Sequence, residues 1–192
     1  MIKNFFLYDQ IKENADDFSA GVQSIADALG TRSEWLMLVM YFESKLNPQA
    51  KNPFGSATGL LQFTAATATD IGTSTAALYN MNNVEQLQYV QRYLQRFKGR
   101  LNTLTDVYLS VFYPAAIGRP DTYMLNLSPQ WVEANKIFDS NKDGKITVGE
   151  ISKKINDYFN TLAAQTNYKI SVAAGGIVAL IVSIGLIYII FK

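Results

Sequence analysis

Cysteine and histidine are both absent from this 192-residue sequence. Without cysteine the chain has no disulfide bond and no thiol nucleophile, and without histidine it lacks a Ser-His catalytic pair and the common zinc ligands. The chain also has no strong excess of charge of one sign, because it contains 17 Lys and Arg residues and 16 Asp and Glu residues, which gives a net charge of +1. We therefore expect no nucleic acid among the partners. Any bond-cleaving chemistry must use carboxylates, tyrosines, amides or a hard cation.

The alternation of apolar and polar residues that is typical of half-buried strands does not stand out in the chain. Apolar residues recur instead at helical spacing, as Leu87, Val90 and Leu94 do, so we predict a mainly α-helical fold. One predicted helix ends at Gly30, and a capping box at residues 31–34 opens the next. Further helices are predicted at residues 64–71, 84–97, 105–113, 131–138 and 147–162.

Glu43 closes the most apolar of the predicted helices, which begins near Trp35 and ends near Pro48. Trp35, Val39 and Glu43 are spaced four residues apart, so the acid continues the apolar face of the helix. A carboxyl group against apolar surface is costly to ionise, and its pKa rises toward neutrality. A general acid must be protonated near pH 7, so Glu43 is the candidate catalytic acid. An exposed glutamate at a helix end is the alternative interpretation.

One short motif begins at Glu43, and a second begins at Gly59. Residues 43–50 read Glu-Ser-Lys-Leu-Asn-Pro-Gln-Ala, and residues 59–63 read Gly-Leu-Leu-Gln-Phe. An E-S dipeptide followed by N-P-x-A and then by G-L-[ML]-Q-[IF] resembles the core of the soluble lytic transglycosylase family of peptidoglycan-cleaving enzymes. A third family element, A-Y-N-[AG]-G, has its nearest counterpart at residues 111–118, where Tyr113 fits and Pro114 replaces the usual asparagine. The resemblance extends over residues 19–125, a little over half of the chain.

The resemblance implies a lysozyme-like helical domain, which we assign to residues 1–128. It also implies cleavage of the β-1,4 bond between N-acetylmuramic acid and N-acetylglucosamine in peptidoglycan glycan strands, with a 1,6-anhydro product. Glu43 would be the catalytic residue, and no cofactor would be needed for catalysis. Three residues correspond to family positions that orient the acid or hold the sugar, and we assign them to substrate binding: Ser44, Gln62 and Tyr113.

Two other functions stay open at the level of sequence. A muramidase that uses water on the same fold would need a second carboxylate, for which Asp70 is the nearest candidate in the sequence. A membrane-anchored protein that binds glycan or assists assembly without cutting is the other alternative, because Pro114 departs from the family pattern. The products released from cell walls distinguish these alternatives.

Residues 139–150 match the calcium-loop pattern D-x-[DN]-x-[DN]-G-x5-E at every specified position. Calcium prefers six to eight hard oxygen ligands, and Gly144 permits the sharp turn that such a loop requires. The loop and its flanking helices resemble an EF-hand, which we assign to residues 129–163. Because no second hand is evident, we expect a structural calcium ion and a unit that docks on the domain containing Glu43. The predicted ligands are Asp139, Asn141, Asp143, the carbonyl of Lys145, Thr147 and Glu150.

The end of the chain carries a long uncharged stretch. Between Lys169 and Lys192 lie 22 residues without a charge, which as a helix would span about 33 Å against a hydrocarbon core of about 30 Å. We therefore predict a transmembrane helix at residues 169–192 and a lipid membrane as partner. Small residues recur every fourth position at Gly175, Ala179 and Ser183, a face that could pack against another helix or a virion protein.

The predicted biological setting combines these features. No export-signal pattern is visible at the first residues, whereas the last ones suggest an anchor. Residues 113–118 look more like phage-encoded relatives than housekeeping ones. We therefore expect a bacteriophage enzyme for cell-wall penetration or lysis, located in the virion membrane or the host cell membrane.

Overall fold

A computed structural model describes residues 5–53 and 55–166 of the chain. Within these residues the fold is mainly α-helical, as predicted, and strand-like pairing is limited to isolated bridges. The α-helices are α1 (Ala15–Leu29), α2 (Ser33–Ser44), α3 (Ala65–Asp70), α4 (Thr75–Tyr79), α5 (Asn83–Leu94), α6 (Leu104–Phe112), α7 (Pro129–Ala134) and α8 (Val148–Gln165). Short 3-10 helices lie at Tyr8–Gln10, Gln95–Phe97 and Pro114–Ala116.

The central helix of the domain is α2, which packs against α1 and α6. Five consecutive residues of α2 are at most 2% exposed: Leu36, Met37, Leu38, Val39 and Met40. A helix that is apolar on all sides must be enclosed by other elements, which explains why its sequence shows a continuous apolar run. The helix ends at Ser44, earlier than Pro48, because Lys45 and Leu46 both adopt left-handed conformations with φ of 56° and 58°.

The two helix-end predictions around α1 have different outcomes. The end at Gly30 is confirmed, with φ of 72° and its N–H donating to the carbonyls of Ala26 and Asp27. The predicted capping box at residues 31–34 is wrong. Arg32 is the N-cap of α2 without a side-chain cap, and the Thr31 hydroxyl donates instead to the Leu101 carbonyl at 2.9 Å. The Thr31 hydroxyl, which the local sequence predicts to cap α2, therefore bonds to a residue that is distant in the sequence.

Gln86, on α5, fixes the loop that carries the second motif. Its side-chain oxygen accepts the Leu60 N–H at 2.9 Å, and its amide nitrogen donates to the carbonyls of Pro48 and Leu78, both at 2.7 Å. The residue is 0% exposed, so these backbone groups have no access to water as a substitute. Gly59 is required beside it, because its φ is 83° and a Cβ there would lie 2.5 Å from the Gln86 oxygen.

Residues 129–165, which we call the helix-loop-helix unit, pack directly on the preceding helices. The unit holds α7, the loop at 139–150 and α8, and α8 packs along α6. The Thr105 and Ser152 hydroxyls are 3.0 Å apart, and the rings of Phe6 and Phe159 have centroids 5.0 Å apart. The unit therefore shares the core of the domain.

The loop of the unit also pairs with a neighbouring backbone segment. The Leu125 N–H donates to the Ile146 carbonyl at 2.9 Å, and the Val148 N–H donates to the Tyr123 carbonyl at 3.0 Å. Ile146 itself is 0% exposed. The segment around Tyr123 and Leu125 thus pairs with the backbone of the loop at residues 139–150. In the described residues no second EF-hand lies beside this loop.

No helix in the described part of the chain is both long enough and apolar enough to cross a bilayer. The predicted span at residues 169–192 lies outside the described residues.

Replacing Gln86 with Leu should lower the free energy of unfolding by about 3 kcal/mol or more, because three buried backbone groups lose their partner. Urea denaturation measures this change. Gln88→Leu is the matched control, since Gln88 is exposed on the same helix and, among the described residues, its side chain bonds only the Glu85 carbonyl. Equal losses in the two variants would contradict the role assigned to Gln86.

Candidate active site

Glu43 lies in the last turn of α2, half-buried at the edge of the apolar core. Its carboxyl group makes no hydrogen bond and no ion pair with any described residue. Burial raises the pKa of Glu43 to about 7, and no neighbouring carboxylate in the described chain contributes to the shift. The acid can therefore be protonated at neutral pH because of its apolar surroundings alone.

Tyr108, on α6, is the ionisable side chain next to the acid. Its ring is 2% exposed, and burial together with the negative charge of Glu43 raises the pKa of Tyr108 well above its usual value. No hydrogen bond of the Tyr108 hydroxyl to another described residue is present. Sequence reasoning missed Tyr108, because helical spacing places it on the apolar helix but does not show that it faces α2.

An aromatic cluster surrounds this position. Phe42 meets Tyr108 edge-on with ring centroids 5.4 Å apart, and Tyr108 stacks on Phe112 at 5.6 Å. Phe138, from the helix-loop-helix unit, lies 5.5 Å from Tyr108 and 5.4 Å from Phe112. Tyr158, on α8, meets Phe42 edge-on at 5.6 Å. The apolar surroundings of the acid are thus built partly by residues far away in the sequence.

Ser44 and Gln62, two of the predicted substrate-binding residues, are bonded to the backbone in this structure. The buried Ser44 hydroxyl lies 2.9 Å from the Met40 carbonyl and 3.0 Å from the Leu60 carbonyl. The Gln62 amide nitrogen donates to the carbonyls of Ala50 and Gly59 at 3.2 and 3.0 Å. Ser44 thus joins the end of α2 to the second motif, and Gln62 joins the second motif to Ala50 of the first. The contacts of both residues with substrate stay predictions.

Tyr113, the third predicted substrate-binding residue, directly follows α6 and is half-buried. Pro114 then opens the 3-10 helix Pro114–Ala116, at a position where the missing N–H of proline costs nothing. The Asp106 carboxylate caps the start of α6 and also accepts the Gly118 N–H at 3.0 Å, which closes the turn. Pro114 is therefore compatible with an ordered loop at the family position of asparagine.

Asp70, the candidate second carboxylate, is engaged elsewhere. It forms an exposed ion pair with Arg96, with an oxygen-to-nitrogen distance of 2.8 Å. It does not contribute to the raised pKa of Glu43. The described structure therefore gives no support to a two-carboxylate site built from Glu43 and Asp70.

The loop at residues 139–150 folds around its own acidic side chains. The Asp139 carboxylate accepts the N–H groups of Asp143 and Gly144 at 3.1 and 3.0 Å, and the Asp143 carboxylate accepts the Lys145 N–H at 2.9 Å. Asn141 accepts the Asp143 N–H at 2.9 Å, and Gly144 has φ of 76°. The turn predicted from the glycine is present, and every predicted ligand offers a hard oxygen.

Glu150, the last predicted ligand, is bonded within the same loop. Its oxygens accept N–H groups from Ser140 at 3.1 Å and Thr147 at 3.0 Å, the latter as part of the capping box of α8. Burial acts to raise the pKa of Glu150, but these hydrogen bonds outweigh it and hold the pKa below its usual value. Among residues 5–53 and 55–166 no group of three acidic side chains is arranged to hold a metal ion, so the calcium site stays a prediction.

Comparison with known proteins identifies the segment around the acid. Residues 22–116 match the family model described as the Transglycosylase SLT domain, whereas no curated protein matches the chain. The matched segment contains Glu43, Ser44, Gln62 and Tyr113, and it ends before the helix-loop-helix unit begins. Residues 22–116 are therefore a transglycosylase SLT domain, the catalytic domain of lytic transglycosylases, and the chain is a peptidoglycan-cleaving enzyme.

Proposed function

We propose that the enzyme cleaves the β-1,4 bond between N-acetylmuramic acid and N-acetylglucosamine without water and releases a 1,6-anhydro product, with Glu43 as its single acid and base. The observation that carries the proposal is the Glu43 carboxyl group, which burial keeps partly protonated near pH 7 and to which no second carboxylate is coupled in the described chain. The family to which the SLT domain belongs supports the substrate class.

The reaction requires Glu43 to donate one proton and then to accept another. Protonated Glu43 donates to the glycosidic oxygen as the bond from that oxygen to C1 of the muramyl sugar breaks, and N-acetylglucosamine leaves with a free 4-hydroxyl. The muramyl C6 hydroxyl then attacks C1, and the Glu43 carboxylate takes up its proton. Glu43 ends the cycle protonated again, and no water is consumed.

One carboxylate is sufficient for this chemistry because the substrate supplies its own nucleophile. A water-using muramidase generally needs a second carboxylate, and Asp70 is occupied by Arg96 at 2.8 Å. The anhydro-forming reaction is therefore favoured over the hydrolytic one.

For the loop at residues 139–150 we propose a structural calcium ion. The side chains of Asp139, Asn141, Asp143, Thr147 and Glu150, with the Lys145 carbonyl, would hold it. The oxygen-only donor set and the left-handed Gly144 support the proposal, while the bonds of Glu150 to Ser140 and Thr147 compete with the cation.

For residues 169–192 we propose a membrane anchor, and for the enzyme a phage setting in which it opens the cell wall during penetration or lysis. The uncharged stretch between Lys169 and Lys192 supports the anchor. The resemblance of residues 113–118 to phage-encoded relatives supports the setting.

Glu43→Gln should reduce the release of anhydro products from purified cell-wall sacculi by several orders of magnitude, because the amide keeps the shape and cannot donate the proton. Glu34→Gln is the matched control, since Glu34 lies on the same helix and pairs with Arg32, and it should retain activity. More than about a tenth of wild-type release in Glu43→Gln would remove the residue from the mechanism. Reducing ends in place of anhydro ends would establish the muramidase alternative.

The rate on soluble glycan fragments should fall about tenfold per pH unit above pH 7, because only the protonated form of Glu43 donates and burial sets its pKa at about 7. A steady-state pH profile of kcat/KM measures this limb. A rate that stays constant up to pH 9 would contradict the role of Glu43 as the acid.

The full-length protein should melt at a higher temperature with calcium than with EDTA, because a ligand that binds only the folded state stabilises it by mass action. The double variant Asp139→Ala with Glu150→Gln should lose this difference. Asp157→Ala should keep it, since Asp157 is an exposed acid on α8 that pairs with Lys153. Equal melting temperatures in calcium and EDTA would overturn the calcium proposal.

Full-length protein should stay with membranes through high salt and alkaline carbonate, as a spanning helix does. Deletion of residues 169–192 should release it into solution and leave the cleavage of soluble glycan fragments unchanged. Sedimentation followed by immunoblotting measures the partition. Extraction of the full-length protein by carbonate would overturn the anchor.

A further inference from the structure

The helix-loop-helix unit contributes side chains to the surroundings of the catalytic acid, although it lies outside the SLT domain match. Phe138 is 1% exposed and lies four residues beyond the end of α7 at Ala134. Its ring touches the rings of Tyr108, Phe112 and Phe42, with centroids 5.5, 5.4 and 6.3 Å away. One residue of the unit therefore contacts both α6 and the last turn of α2.

Tyr108 connects this ring to the acid. Its hydroxyl lies close enough to Glu43 to sense the charge of the carboxylate, while its ring lies against Phe138. A buried aromatic side chain keeps one orientation only while its neighbours fill the space around it. Removing the Phe138 ring would leave a gap behind Tyr108, into which Tyr108 could turn or water could enter.

We propose that Phe138 is a positioning residue of the active site, which holds Tyr108 and Phe42 in place beside Glu43 and keeps water from the apolar side of the acid. The proposal rests on the proposed role of Glu43 and adds a residue from outside the SLT domain to the machinery. The helix-loop-helix unit is then part of the active site as well as of the core.

Three other ionisable groups with shifted pKa values lie near the acid: Tyr108, Tyr158 and Lys45. Burial and the Glu43 charge raise the pKa of Tyr108 well above its usual value, and burial followed by the effect of Tyr41 raises the pKa of Tyr158 to about 12. Lys45, whose pKa burial lowers, bonds to the Tyr158 hydroxyl at 3.0 Å. Both tyrosines with raised pKa values stay neutral between pH 5 and pH 9, and the Glu43→Gln variant identifies which carboxyl titration in that range belongs to Glu43.

The test is the titration of Glu43 itself, followed by NMR of full-length protein labelled with ¹³C at glutamate carboxyl groups. The carboxyl resonance that disappears from the spectrum of the Glu43→Gln variant is the resonance of Glu43. The wild-type midpoint should lie near 7, and Phe138→Leu should lower it by about half a pH unit or more, because water gains access to the carboxylate. The falling limb of the kcat/KM profile should move by the same amount.

Phe159→Leu is the matched control. Phe159 is also a buried phenylalanine of the helix-loop-helix unit, but its ring contacts Phe6. This variant should melt at a lower temperature and keep the wild-type midpoint, which separates loss of stability from loss of positioning.

Phe138→Met provides a second variant if Phe138→Leu fails to fold, because the flexible methionine fills irregular gaps. A wild-type midpoint in the folded Phe138 variant, or equal shifts in the Phe138 and Phe159 variants, would overturn the proposal. The NMR titration needs no turnover. If the wild-type protein releases no anhydro product, the proposed function is overturned, but the NMR titration still tests the role of Phe138.

Discussion

The end of α2 keeps one carboxyl group in apolar surroundings without a hydrogen-bond partner among the described residues. Such a group is costly to ionise, and the pKa of Glu43 rises to about 7 as a direct result. The acid stands beside Tyr108 and the aromatic cluster, and part of that cluster comes from beyond the SLT domain. The chemistry proposed for the enzyme depends on this single environment.

In the rest of the described structure, buried side chains hold the end of α2 and the second motif in place through hydrogen bonds to backbone groups. Ser44 joins the last turn of α2 to the second motif, and Gln86 joins that motif to α5. Gly59 leaves the space that the Gln86 side chain occupies. Each motif also bonds to the backbone of the other, through Ser44 to Leu60 and through Gln62 to Ala50, so the two motifs hold each other in place.

Several features of the fold were predictable because they depend on local sequence. The apolar run of α2, the end of α1 at Gly30 and the left-handed Gly144 of the loop all follow from residue type and spacing. The features that were missed depend on distant contacts. Thr31 bonds to Leu101 across the fold, and the Tyr108 ring lies between Phe42 of α2 and the distant Phe138. Gln86 shared its helical spacing with apolar residues, but only the folded loop shows which carbonyls need it.

The most direct test of the central claim is the dependence of stability on pH in wild-type protein and Glu43→Gln. The folded-state pKa of Glu43 is raised from 4.5 to about 7, so its contribution is fully present below pH 4.5 and is lost as pH rises to 7. Urea unfolding should show wild-type protein losing on the order of 3 kcal/mol relative to Glu43→Gln over this interval, with a constant difference above it. A difference between the two proteins that does not change with pH would show that the fold does not hold Glu43 in its protonated form.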